Sequence, residues 1–406
     1  MEVKMYRDLI RNRNLSLLCM GGFISGIGDY LYNIAITIYL YSQTNSVGSV
    51  AIMWLFRGIL RIPMQYLGGI ITDKYDRKKI IVFTNALSIP IAFLFVLTNK
   101  DNLWLSYFLA FLLQSLNDVD QCAENAMLPE IVEKDDLANA NSIFSVLQTI
   151  ILFLSPALSG IIYTYYGANV LFIINAVSFL IASILFLLIN YEKSYNSTEK
   201  RTGLIKSGIE GFKLLSECSN VKIIFIIMFF YGMLGRFYEV FKVAVSDNLL
   251  KLGPEGIIYF DYALAIGSLA VPISLKVLKK YEKVNIFIIS STLISISYIV
   301  FGFSGSPIIT LVILVLYGLL QSIQGVYSNT VIQENIPKEL LGRIFSFYKI
   351  LIVFGALLGI AISPIFYEYF GPGMSFTIVS VISVILNFVV LLRKNLHKNI
   401  ASDDSV

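Results

Sequence analysis

The chain has 406 residues, of which 56% are hydrophobic and 14% charged, with a mean hydropathy of +0.74. A soluble domain averages roughly 25% charged residues, so a water-facing globule is excluded. The net charge of +4 gives no footprint for nucleic acid. Twelve apolar runs of about the 20 residues that a helix needs to cross the hydrocarbon core follow one another. They lie near 15–41, 47–72, 79–98, 103–128, 140–164, 169–190, 221–245, 256–278, 284–303, 307–333, 344–368 and 373–392. None has the short alternating pattern of a barrel strand. Of the 31 Lys and Arg, 24 fall in alternate gaps between these runs, from Lys4 to Arg13 at one end to Arg393 to Lys398 at the other. Such a bias marks the cytoplasmic side. The pattern predicts an all-α, multi-pass membrane protein with twelve transmembrane helices and both termini cytoplasmic. The cationic start precedes a run too long for the apolar region of a signal peptide, so it reads as a retained anchor. Cys19, Cys122 and Cys218 lie in helices or on the inner face and imply no disulfide framework.

In the first span stands Asp29, with Asn33 one turn on; in the second stand Arg57 and Arg61, four apart and so on one helix face. A charge at the bilayer centre costs about 2.5–3.5 kcal/mol on insertion scales, so such groups face a partner or a wet cavity. An Asp29–Arg57 or Asp29–Arg61 pair is one reading; a carboxylate that gains and loses a proton as its surroundings hydrate is the other. Between the second and third spans runs Gly68-Gly69-Ile70-Ile71-Thr72-Asp73-Lys74-Tyr75-Asp76-Arg77-Lys78-Lys79. This resembles the loop signature of the major facilitator superfamily, with Asp76 where the common pattern has Gly. Together with Leu128-Pro129-Glu130-Ile131-Val132 after the fourth span, it looks like the subgroup holding macrolide efflux pumps and siderophore exporters. The resemblance implies an inner-gate motif of Gly69, Asp73, Arg77 and Lys78, in which Asp73 meets the N-terminus of the eleventh span, near Arg343, and latches the two halves.

The fourth span is the most polar, with Gln114, Asn117, Asp118, Asp120, Gln121, Glu124 and Asn125 within an arc of about 160°. The fifth carries Ser155-Pro156-Ala157-Leu158-Ser159-Gly160, whose Pro156 and Gly160 resemble the end of a motif of exporting members; ordinary close packing explains them equally well. The segment 191–220 is polar and cationic, a cytoplasmic linker with a short amphipathic helix near 208–218. It separates an N-terminal bundle of six helices, 1–190, from a C-terminal one, 221–395, and 396–406 reads as a disordered tail.

The halves match at an offset of 204 residues: Asn125 falls on Asn329, Leu137 on Leu341 and Gly167 on Gly371. An even helix count per half makes this a parallel repeat, whose interface holds the binding site in many transporters. In the second half, Arg236, Glu239 and Lys242 on the seventh span, with Asp261 on the eighth, suggest an outer cluster of charges. Lipid-interface snorkelling is the alternative, stronger for Lys242.

In the resembled family, spans 1, 4, 7 and 10 line a central cavity. That implies Asn33, Gln114, Gln121, Gln321 and Gln324 as lining residues and Asp29, Asp118, Asp120 and Glu124 as proton-coupling candidates, with Arg57, Arg61, Arg236 and Glu239 as charge partners. The only histidine is His397, so no His-based metal or catalytic site is expected. No P-loop sequence is present for ATP. The expected function is proton-coupled export of an amphiphilic or drug-like small molecule, a macrolide or siderophore among them, across a bacterial plasma membrane, with no enzymatic activity and no cofactor. An importer or a lysophospholipid flippase on the same scaffold is the nearer alternative. A transport-inactive receptor or assembly partner is the more distant one.

Overall fold

The computed structural model describes residues 12–133, 136–190, 219–278, 280–336 and 338–403. The chain divides into two compact units, Met1–Glu199 and Lys200–Val406. The first holds α1 (Arg13–Thr44), α2 (Val47–Lys74), α3 (Arg77–Leu94), α4 (Leu103–Ile131) and α5 (Leu137–Leu187). The second holds α6 (Ser219–Ala244), α7 (Ile257–Leu269), α8 (Val271–Leu278), α9 (Lys283–Phe303), α10 (Pro307–Asn335) and α11 (Lys338–Asp403). No strand occurs among the described residues. The expected linker helix near 208–218 lies outside them. The 396–406 segment, expected as a disordered tail, continues α11 as helix through Asp403, because no Gly or Pro follows Gly373 to stop it.

Eight helices among the described residues are long and apolar enough to cross a membrane. Twelve apolar runs were expected, and the difference has physical causes. α5 and α11 run 51 and 66 residues, and each is broken at one glycine: Gly167 at φ 75° and Gly371 at φ 67°. Only glycine enters that region without cost. At about 1.5 Å per residue, α5 is longer than two bilayer cores. α4 has the length, 29 residues, but its interior acids make it too polar. α7 and α8 are 13 and 8 residues, parted at Ala270.

The local chemistry fixes the helix ends. Asn12 caps α1 by accepting from the Asn14 and Leu15 amides, and Asn45 ends it in the left-handed region. Asp76 caps α3, its carboxylate accepting from Lys79 N at 3.0 Å. The acid at that position therefore adds a side-chain cap bond that glycine cannot make.

The packing repeats with the sequence. α4 and α10 are both 29 residues, and their ends, Leu103 with Pro307 and Ile131 with Asn335, stand 204 positions apart. In the first unit α1 packs on α5, α2 on α4, and α3 on both α4 and α5; in the second, α6 packs on α11, α7 on α10, and α9 on both α10 and α11. Without a hydrophobic drive between helices in lipid, close backbone approach takes over. A Cβ on Gly318 would lie 2.2 Å from Leu264 O, and one on Gly355 would lie 2.2 Å from Phe229 O.

Among the described residues of the first unit, two apolar clusters stand out. One gathers Leu31, Tyr32, Tyr39, Ile91, Phe95, Leu109 and Phe172; the other Leu15, Leu18, Ile80, Ile81, Met127 and Phe186. Along α1, α3, α4 and α5 the residues between these clusters include Ser25, Asp29, Thr84, Asn85, Ser88, Asp118 and Ser178. A polar layer therefore crosses the middle of the bundle.

Candidate functional site

Asp29 sits in that layer. Its Oδ2 accepts from Asn117 Nδ2 at 2.7 Å, and Gly28 beside it leaves room for Asn175 and Ser178 of α5, which a Cβ would strike. No ion pair joins Asp29 to Arg57 or Arg61 among the described residues. This corrects both pairings expected from sequence. Arg57 instead donates from Nε to Gln114 Oε1 at 2.9 Å and from Nη1 to Asn33 Oδ1 at 2.7 Å. Its guanidinium carbon stands 5.0 Å from the Trp54 ring centre and 5.7 Å from that of Tyr32. Arg61 is near Asp118, Nε to Oδ1 at 3.7 Å, with the carboxylate buried and the guanidinium nearly half exposed. The reason lies in helix rotation: α2 packs on α4, so its basic face meets α4 rather than the acid on α1.

The polar arc of α4 is thus divided among three neighbours. Gln114 and Asp118 turn to α2, Asn117 to α1, and Asp120 to α3, where its Oδ1 accepts from Thr84 Oγ1 at 2.6 Å and Asn85 Nδ2 at 3.0 Å. Glu124 is half-buried beside Gly22 of α1, and Gln121 is exposed.

At the α2–α3 junction, Gly68 makes a close approach, 3.1 Å from a built Cβ to the Val119 backbone; Gly69 is buried and its carbonyl accepts from Thr72 at 3.2 Å. Arg77 reaches the end of α4, donating to Ala126 O at 2.5 Å and pairing with Glu130 at 2.8 Å. Lys78 is half-buried on the first turn of α3. Of the latch expected from the resemblance, the Asp73 and Arg343 side chains lie outside what the structure describes. In α5, Pro156 is buried and its carbonyl accepts from Ser159 Oγ at 2.9 Å; Gly160 is half-buried.

In the second unit, Lys242 is buried with two carboxylates, Glu239 at 3.0 Å and Asp261 at 3.1 Å. The snorkelling alternative for Lys242 is thereby overturned. Arg236, one turn before Glu239, is half-buried. Beside the triad the Tyr298 and Tyr317 hydroxyls meet at 2.6 Å, and the Tyr238 ring lies against both. Gln324, expected to line a cavity, is 1% exposed and donates to Ser291 Oγ on α9 at 2.7 Å; Gln321 is exposed. Sequence reasoning missed Thr84, Asn85 and Asn175 as parts of the polar layer. Polar residues at helical spacing inside the apolar runs of α3 and α5 were the available signal.

The model of the Major Facilitator Superfamily matches residues 18–353 and 256–404. Macrolide efflux protein A of Streptococcus pyogenes is 22% identical over 392 residues, covering 92% of this chain and 95% of that one. The staphyloferrin A transporter of Staphylococcus aureus is 24% identical over 377 residues, 90% and 93% of the two chains. The enterobactin exporter EntS of Escherichia coli is 23% identical over 345 residues, 84% and 82%. Among solved structures, the nucleoside transporter NupG superposes with a TM-score of 0.73 at 14% identity, covering 93% of this chain and 98% of that one. The POT family transporter PepTSo gives 0.71 at 10% identity, 95% and 98%. These superpositions show the fold alone.

Proposed function

The chain belongs to the Major Facilitator Superfamily, and from that premise we propose that it is a proton-coupled secondary transporter exporting an amphiphilic small molecule from a bacterial cytoplasm. Twelve spans, six to a unit, follow when α5 and α11 are each counted twice at their glycine breaks and α4 and the α7–α8 pair once each. The inward bias of Lys and Arg then puts both termini in the cytoplasm. Relatives named for macrolide efflux and enterobactin export support the direction.

The observation that carries the coupling is Asp29. It is a carboxylate in the mid-bundle polar layer, held by the neutral amide of Asn117 and joined to no cation among the described residues. A group of this kind gains a proton at little cost to its neighbours, because no ion pair has to break. Asp118 is the less suited candidate, since Arg61 stands beside it. In the cycle we envisage, solute enters from the inside, the units rearrange to expose it outward, and protonation of Asp29 from outside accompanies the return.

The test is uptake into inside-out vesicles or proteoliposomes carrying a pH gradient, with a radiolabelled macrolide and a siderophore as solutes. The wild type accumulates solute against its gradient and collapses accumulation when the pH gradient is dissipated. Asp29→Asn is expected to keep solute exchange at equilibrium while losing accumulation. Full-rate accumulation by Asp29→Asn removes Asp29 from the coupling role.

A further inference from the structure

We propose that Arg57 is the anion-recognition residue of a solute site on α1, α2 and α4, and that the solute carries a carboxylate or similar oxyanion next to an apolar or aromatic body. This rests on the transport reading above and sharpens it by fixing the sign of the solute's charge.

A cation inside a membrane helix is costly. Such a charge ordinarily sits beside an acid, as Arg61 sits beside Asp118 and Lys242 beside Asp261 and Glu239. Arg57 has no carboxylate at ion-pairing distance among the described residues. Asp29 and Asp118 lie within reach of its field but not in contact. Its two side-chain hydrogen bonds run to neutral amide oxygens, Gln114 Oε1 and Asn33 Oδ1. These orient the guanidinium without neutralising it. A guanidinium has five N–H donors in a rigid fork matched to carboxylate or phosphate, and the two bonds leave most of them unspent. Asn33, which accepts through its oxygen, keeps its own N–H donors as well.

The aromatic surroundings complete the site. Trp54 and Tyr32 flank the guanidinium at 5.0 and 5.7 Å, a cation–π arrangement that fixes its plane. Tyr32 is 3% exposed and its hydroxyl is buried without a hydrogen-bond partner. Arg57 is only half-buried, so part of its side chain stays open to a ligand. A fixed planar cation with no carboxylate in contact, set beside aromatic rings, selects a flat or apolar body bearing an oxyanion.

The experiment uses purified full-length protein in phosphatidylcholine nanodiscs and three isosteric probes: 2-naphthoate, neutral 2-naphthamide and cationic 2-naphthylmethylammonium. Affinities are read by calorimetry. Because charge-assisted, bidentate bonds exceed neutral ones, naphthoate should bind on the order of tenfold to a hundredfold more tightly than the amide. The charge preference of the wild type is a test that needs no variant. Arg57→Gln should bring naphthoate to the level of the amide while leaving the amide unchanged, and Arg57→Lys should recover only part of the preference. Arg61→Gln should leave it intact. Equal binding of acid and amide, tighter binding of the ammonium, or no binding of any probe overturns the proposal. So does competition by added phosphatidylglycerol, which assigns the site to lipid. Vesicle flux of neutral or cationic solutes without any preference for anions would sink this inference and leave transport standing; preferential naphthoate binding with no flux of any solute would do the reverse.

Discussion

Lys242 is 5% exposed, and Asp261 and Glu239 hold its ammonium at 3.1 and 3.0 Å. The three groups are unequal: Asp261 is as buried as the lysine, whereas the Glu239 side chain keeps 30% of its surface. Removing the lysine strands a buried carboxylate on another helix. Breaking a buried pair from one side costs about 3–5 kcal/mol, whereas replacing both partners with apolar groups of similar size is often neutral. Lys242→Met is therefore expected to lower the Tm of the detergent-solubilised protein sharply, and Lys242→Met combined with Asp261→Leu to recover most of the loss. A single variant melting with the wild type would show that the pair contributes nothing to the fold. The charges themselves were legible in the sequence, but their partners were not. Lys242 and Asp261 are 19 positions apart on α6 and α7, and which face each helix turns to the other is set by packing. The same holds for Arg61, read from the sequence as a partner for Asp29 and found beside Asp118.

At the scale of the helix, the contact of α7 with α10 depends on glycine at the crossing. Gly267 and Gly318 each bring their helix onto the partner's backbone, so a Cβ would come 1.9 Å from Val315 O or 2.2 Å from Leu264 O. Backbone cannot step aside as a side-chain tip does, so the helices must part and lose the dispersion contacts that hold them in lipid. Gly318→Ala is expected to destabilise by about 1–3 kcal/mol, the usual range for overpacking. Gly325, seven residues on in the same helix, has nothing within 4 Å of its would-be Cβ. Gly325→Ala should be neutral or raise Tm slightly, since alanine is the better helix former by about 1 kcal/mol. Thermal unfolding of the two variants side by side decides it, and equal behaviour would refute the crossing argument. The glycine breaks at 167 and 371 were marked in the sequence by the 204-residue offset, because a repeat carries its turn residues with it. The crossings were not marked, because an unbroken apolar run gives a small residue no address on the helix surface.

Across the whole molecule, the twelve apolar runs, the repeat and the membrane class were legible because hydropathy and charge bias act over many residues at once. The motif at 68–79 was legible as a string, but its parts divide into two kinds of work. Arg77 acts inside the first unit: it joins the start of α3 to the end of α4 through Ala126 O and Glu130, with its side chain only 12% exposed. Asp73 is assigned by the family resemblance to a latch between the halves, a role in the cycle rather than in the fold. The two roles separate experimentally. Arg77→Gln removes a charge-assisted contact and leaves Glu130 without its cation, so it should lower Tm, with flux per folded molecule largely kept. Asp73→Asn should leave Tm near that of the wild type while changing flux severalfold, because a latch shifts the balance between inward- and outward-open states and a weight of about 1 kcal/mol alters that ratio about fivefold. Measuring Tm and vesicle flux on both variants gives four numbers. If Asp73→Asn lowers Tm and flux in proportion, the residue is a brace like Arg77 and the latch is not built from this motif.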